Sequence, residues 1–421
     1  KAKSCYEKAI AIKPDYAEAH NNLKLTIKAL LFSKPGSYHS KRAGENGYSD
    51  DACQSINYAL QQFYLDGFRP HEADASFEQV IAALPALADE AIRIKATGHQ
   101  QSAVAQLPDK MVALLNFGRS GTGLLHSLID GHPSITTLPS VYLRGYFNEG
   151  VWNKISIGGW QGLPAHFAEE FAVLFDARTS KPIPSRLGES SISIGNMEGM
   201  TSIGDNRDQF LSLDREAFCV AALNMMEGME SVDPMSFLMV VHAAFEEAIG
   251  THENSGSNKH LCFYHIHNPD DYAKPNFLRY APDTQLLVTV REPIQNCESW
   301  IHFSAEKNIY EQCVSRILDI LFGFDEVLFR MRDSLGVRLE DLKTRPEATM
   351  KALCAWLEVE DSPTLYQMTA QGKKWWGDPS SPDYNKSKAM MPFEDTMAKR
   401  TTVKTLGEID RFILGTLFYP F

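Results

Sequence analysis

The chain reads as α/β: a parallel sheet flanked by helices, preceded by an all-α segment. Three observations predict this. Short apolar runs, "MVALLNF" (111–117), "HLCFYHIH" (260–267), "TQLLVTV" (284–290) and "GVRLEDL" (336–342), are bounded by turn or charged residues, as strands buried on both faces are. A helical pattern follows each run, the alternation that builds a mostly parallel sheet. Upstream of Lys110 the text reads helical on either side of a linker.

The length of 421 residues predicts two or three domains. We divide the chain into a helical hairpin (1–32), a linker with a helical connecting layer (33–109), and an α/β domain (110–421). A content of 44% hydrophobic and 22% charged residues is that of a soluble globular protein. The longest apolar candidate, "MSFLMVVHAAF" (235–245), falls short of the ~20 residues of a membrane helix, so no membrane span is expected. The net charge of −12 speaks against nucleic acid or an anionic membrane as the main partner. Seven scattered cysteines without C-x-x-C spacing suit free thiols in a reducing, cytoplasmic setting better than a disulfide framework or a zinc site.

In "KAKSCYEKAIAIKPDYAEAHNNLKLTIKAL", Ala2, Ala9 and Ala19, Tyr6 and Pro14 sit at helix–turn–helix offsets, with Pro14 where the first helix must stop. The segment resembles the second helix of one tetratricopeptide (TPR) repeat followed by the first helix of the next. That resemblance implies further repeats upstream and a protein partner bound through this segment. "SKPGSYHSKRAGENGYSDD" (33–51) reads as a linker, and 52–97 as helices without visible chemistry.

The stretch "FGRSGTGLL" (117–125) follows a strand and opens a helix, the setting of a phosphate loop. Gly118, Gly121 and Gly123 permit close backbone approach, and the amides up to Leu124 with the helix dipole offer an anion site. Arg119 adds a forked positive charge, Ser120 and Thr122 add hydroxyls. The Gly-Lys-Ser/Thr of nucleoside triphosphatases is absent, since Leu124 and Leu125 follow Gly123; this disfavours a nucleotide kinase. The loop and its continuation "HSLIDGHPSI" resemble the 5′-phosphosulfate loop of the PAPS-dependent sulfotransferases.

A second stretch, "LLVTVREPIQNCESWIHF" (286–303), is a strand ending in Arg291, a helix opened by Pro293, and Ser299 on that helix. It is similar to the 3′-phosphate site of the same family. The resemblance implies a P-loop-like sulfotransferase fold, PAPS (3′-phosphoadenosine-5′-phosphosulfate) as donor with 3′,5′-ADP as product, no required metal, and Arg291 and Ser299 on the 3′-phosphate.

His265 and His267 lie on one face of a strand. Three readings stay open: half of a metal site, satisfied polar groups at a strand end, or catalysis. By resemblance to the family's Lys-x-His-x-Pro strand, His267 is the general base and His265 stands where the family has lysine, which shifts charge stabilisation toward Arg119. Other branches use a glutamate base, for which Glu149 is the rival. "QGKKWWGDPSSPDYNKSK" (371–388) reads as a polar loop, with Lys373 and Lys374 as donor contacts and Trp375 and Trp376 open between stacking on a ligand and packing. Arg338 and Glu340 read as an internal ion pair, and Met350, Leu353, Cys354 and Leu357 as the apolar face of a Pro346-started helix. Residues 136–259, with a long Met-rich helical span at 214–250, are where an acceptor site is expected. A small molecule or neutral glycan is the expected acceptor, and a non-catalytic interaction module is the competing reading.

Overall fold

Proline and glycine set the element boundaries from the first residues on. Helix α1 (Ala2–Ile12) stops before Pro14, and α2 (Ala17–Phe32) returns along it, so that Ile10, Ala19 and Leu23 form a small cluster of their own. Helix α3 (Ala73–Ala83) ends two residues before Pro85. The computed structural model describes residues 2–32, most of 55–63, then 73–87, 91–94, 107–115, 118–139, 143, 146–147, 149–179, 199–250, 259–266, 273–306, 317, 320, 329, 332–379, 392–393 and 405–418. The 33–51 linker lies outside these residues.

A two-residue strand β1 (Ile92–Arg93) precedes the buried strand β2 (Lys110–Leu115), after which come helix α4 (Thr122–Ile129) and strand β3 (Ile135–Thr137). Helices α5 (Glu149–Ile155), α6 (Leu163–Glu170) and α7 (Ala172–Phe175) follow. The expected long helix over 214–250 is two helices. Helix α8 (Arg215–Glu227) ends at Gly228, strand β4 (Ser231–Val232) intervenes, and α9 (Pro234–Ile249) restarts behind an Asp233 cap. Strand β4 pairs antiparallel with β1, so the helical reading through Ile92–Arg93 is also corrected: extended pairing wins there over local propensity. Tyr146, Phe167, Phe218 and Phe237 fill the core that α6, α8 and α9 share.

Strand β5 (Leu261–Ile266), helix α10 (Ala273–Tyr280), strand β6 (Gln285–Val290), helix α11 (Pro293–Glu306) and strand β7 (Ser334–Arg338) complete the main sheet. Its order is β3-β5-β2-β6-β7, with every neighbouring pair parallel. The α/β expectation of a parallel sheet with helices is met in this part of the chain. The run "GVRLEDL" splits: its strand ends at Arg338, and Leu339–Leu342 belong to helix α12 (Leu339–Thr344). Helix α13 (Pro346–Leu357) buries Met350, Leu353, Cys354 and Leu357, the face read from spacing. A hairpin of β8 (Thr369–Ala370) and β9 (Lys373–Lys374) and a final helix α14 (Glu408–Leu417), packed on α11 and α2, close the description. Among the described residues no helix is long and apolar enough to cross a membrane.

With β2 central and β5 and β6 parallel to it on either side, the carboxyl ends of these three strands share one end of the sheet. That end is where α/β sheets bind ligands.

Candidate functional site

The loop after β2 depends on two left-handed glycines. Gly118 has φ +70°, and a Cβ there would stand 2.5 Å from Cζ2 of Trp300. Gly121 has φ +90°, and its Cβ would stand 2.5 Å from Cδ1 of Leu339. Only glycine meets both demands without displacing α11 or α12. Between them Arg119 also takes a left-handed conformation, at φ +53°, a strained choice for a side-chain-bearing residue and one that recurs at functional sites. Gly121 then caps α4, whose first turn holds Thr122, Gly123 and Leu124.

Ser120 and Thr122 are buried, and their hydroxyls meet Thr289 of β6 at 2.9 and 3.0 Å. This hydroxyl cluster pins the loop to the neighbouring strand. Thr289 went unremarked in the sequence, although a lone hydroxyl in the apolar run "LLVTV" was its signal.

The two phosphate-type stretches meet. Arg119 Nη1 donates to Ser299 Oγ at 3.4 Å, and its guanidinium lies 5.2 Å from the Trp300 ring centre. Arg291, 172 positions from Arg119, donates to the Arg119 carbonyl over a long 3.5 Å. Arg291 is 9% exposed. Burial lowers its pKa, and the fields of Glu340, Glu292 and Glu298 pull it back up; the group stays a cation. Each of those carboxylates is engaged elsewhere. Glu292 accepts the N–H groups of Ile294 and Gln295 at the start of α11, Glu340 accepts from Glu292 N–H, and Glu298 holds Thr405 N–H and Arg411. Among the described residues Arg291 has no carboxylate within ion-pair distance.

His265 is 4% exposed on β5, beside His126 of α4, with ring centres 6.1 Å apart. Burial lowers the pKa of His126, partly offset by Asp130. His267 lies outside the described residues. Glu149 opens α5, and its side chain also lies outside them.

Lys373 and Lys374 sit on β9, not in an open loop. Gln371 and Gly372, at φ +52° and +69°, make the two-residue hairpin turn. Asp130 at the end of α4 clamps this hairpin: its carboxylate accepts from Thr369 Oγ1 at 2.7 Å, Gly372 N–H at 2.9 Å and Thr137 Oγ1 at 2.8 Å. Trp375 is buried with its ring against Gly123, so it packs under the loop. Trp376 donates to the Gly204 carbonyl and lies between Arg207 and Lys374, 4.8 and 4.6 Å from its ring centre. The expected Arg338–Glu340 pair is not formed. Arg338 precedes the first turn of α12 and reaches Asp341, three residues on, at 4.0 Å, while Glu340 turns to the β6–α11 junction.

Among the described residues no group of three His, Cys, Asp or Glu side chains is placed to hold a metal ion. No protein-family model and no curated protein matches the chain. Among solved structures it is similar to the sulfotransferase domain from the Synechococcus PCC 7002 olefin synthase, at 14% identity over 76% of this chain and 98% of that one, TM-score 0.40. It is similar also to the sulfotransferase domain from the curacin biosynthetic pathway, at 16% identity over 74% and 98%, TM-score 0.41. A sulfotransferase from Mycobacterium avium matches at 12% identity over 81% and 83%, TM-score 0.30. A likeness of this size does not carry a function.

Proposed function

We propose that this chain is a sulfotransferase that moves a sulfuryl group from PAPS to a hydroxyl or amine of a small-molecule or glycan acceptor. The observation that carries the reading is Arg291: a buried guanidinium with no carboxylate within ion-pair distance among the described residues, held against the loop that begins at Gly118. A buried cation is costly unless something pairs with it, and an anionic ligand on this loop is the natural partner. The residues fit a ligand with phosphates at two positions, because the loop amides and Arg291 offer two anion sites joined through Arg119.

When bound, PAPS supplies an activated sulfuryl group on its 5′-phosphate. In this reading the amides of Gly118–Leu124, with Arg119, Ser120 and Thr122, hold the phosphosulfate and stabilise charge growing on the leaving phosphate. Arg291 and Ser299 hold the 3′-phosphate, which orients the donor and discriminates against ADP and ATP. Lys373 and Lys374 supply further donor contacts. His267 removes the acceptor proton, a task suited to an imidazole titrating near neutrality, with Glu149 as the rival. His265 and Arg119 assist with charge. A protein partner bound through the TPR-like hairpin belongs to the same reading.

Titration calorimetry with 3′,5′-ADP, and with ADP and ATP plus magnesium as controls, tests this. We expect binding of 3′,5′-ADP alone, weakened at least tenfold in Arg291→Ala, the loss of roughly one charge-assisted contact. A preference for ADP or ATP sinks the reading. Binding without sulfate transfer to any acceptor, unchanged by His267→Ala, marks a non-catalytic module instead.

A further inference from the structure

Helix α11 carries a buried amide with no hydrogen-bond partner among the described residues. Asn296 has 0% of its surface exposed, and among the described residues neither its Oδ1 nor its Nδ2 has a hydrogen-bond partner. A carboxamide offers two donors and an acceptor, and burying them unpaired loses their hydration with no return. Such groups are rare in folded proteins and call for a specific explanation.

Its position supplies one. Residues three and four apart share a helix face, so Asn296 lies on the face that bears Ser299 and Trp300. Both of those side chains meet Arg119, and Trp300 also packs on Gly118. Helical side chains lean toward the N-terminus, which carries the Asn296 amide toward the Arg291 end of the helix. The orphan amide thus shares the helix face whose Ser299 and Trp300 reach Arg119 of the loop.

We infer that Asn296 is a positioning residue for the donor's 3′-phosphate end, with its carboxamide paired only in the ligand-bound arrangement of the loop and Arg291. The inference rests on the sulfotransferase reading and adds to it a residue outside both recognised stretches' anion contacts. Side-chain turns and backbone shifts of up to about 1 Å are ordinary on binding, and a shift of that size is enough to bring a loop amide, carbonyl or guanidinium to a buried side chain. The free chain carries the cost, and the bound chain recovers it as affinity and as preference for a ligand with a 3′-phosphate.

The test compares wild type with the size-matched Asn296→Leu, and with Asn296→Ala as a variant that adds no bulk. Thermal unfolding of the free chain is measured beside calorimetric binding of 3′,5′-ADP and of 5′-AMP, which lacks the 3′-phosphate. We expect Asn296→Leu to raise the melting temperature by about 3 °C while weakening 3′,5′-ADP about tenfold and 5′-AMP less than about threefold. Unchanged affinity for 3′,5′-ADP in a folded variant overturns the inference and leaves the amide as a purely internal feature. If Asn296→Leu does not fold, the affinity of Asn296→Ala decides alone, by the same tenfold criterion. Wild type that fails to bind 3′,5′-ADP brings down the sulfotransferase reading and this inference together, whereas wild type that binds beside an unaffected variant removes only the inference.

Discussion

His242 and Arg291 are both buried ionisable side chains, and burial acts on each against its charged form. For His242 it wins: the imidazole is 0% exposed in α9, Nδ1 faces Thr136 Oγ1 at 3.4 Å, and its pKa falls to about 3, through desolvation first and the His126 and Lys259 charges after it. The unfolded chain binds a proton at an ordinary pKa near 6.5, the folded chain only near 3, so between these values unfolding takes up a proton. Stability is then fully present above about pH 6.5 and is lost as pH falls through that window. We expect Asn- or Gln-free replacement, His242→Leu, to flatten the acid side of the stability profile, read by urea unfolding at pH 4.5 and 7. An unchanged slope would show that other groups carry the acid sensitivity. For Arg291 the intrinsic basicity is too high for burial to remove the charge, so the structure retains a cation in search of an anion.

At the scale of elements, the Asp130 clamp joins two parts far apart in the chain. Thr369 and Gly372 are held 239 and 242 positions from the aspartate, and the hairpin they form places Trp375 against Gly123. Asp130→Ala removes three hydrogen bonds to a buried carboxylate. We expect a loss of about 2–4 kcal/mol in unfolding free energy and weaker 3′,5′-ADP binding, with Asp130→Asn recovering part of both. Binding that survives a melted hairpin would separate β8–β9 from the donor site. None of this was legible beforehand: "TAQGKK" reads as loop because two strands of two residues have no period to detect, and the clamp is a contact across distance. By contrast α13 was legible, because Pro346 and four apolar residues at helical spacing are local signals. The break at Gly228–Asp233 and the β1–β4 pair were missed for the opposite reason, since pairing between distant short segments overrode the helical pattern.

For the whole molecule, the apolar cluster of the α1–α2 hairpin is separate from the main core beneath the loop, while α2 packs on α14. We expect removal of residues 1–32 to leave the affinity for 3′,5′-ADP within about threefold, the effect of a site whose packing is unaltered, while lowering the melting temperature by exposing α14. A tenfold loss of affinity would mean that α14 transmits the hairpin's packing to α11 and Ser299.

What the sequence by itself determined is what rests on local periodicity and local chemistry. The buried strands, the glycine loop opening α4, and the strand-end Arg291 followed by Ser299 are each visible within a dozen or so residues. Only the tertiary structure decided that these stretches touch. The β2–β6 pairing brings Thr289 under Ser120 and Thr122, sets Trp300 on Gly118, and leaves Arg291 buried against the Arg119 carbonyl. The physical reason is that burial and contact depend on which strands become neighbours, a property of the closed sheet that no single segment carries.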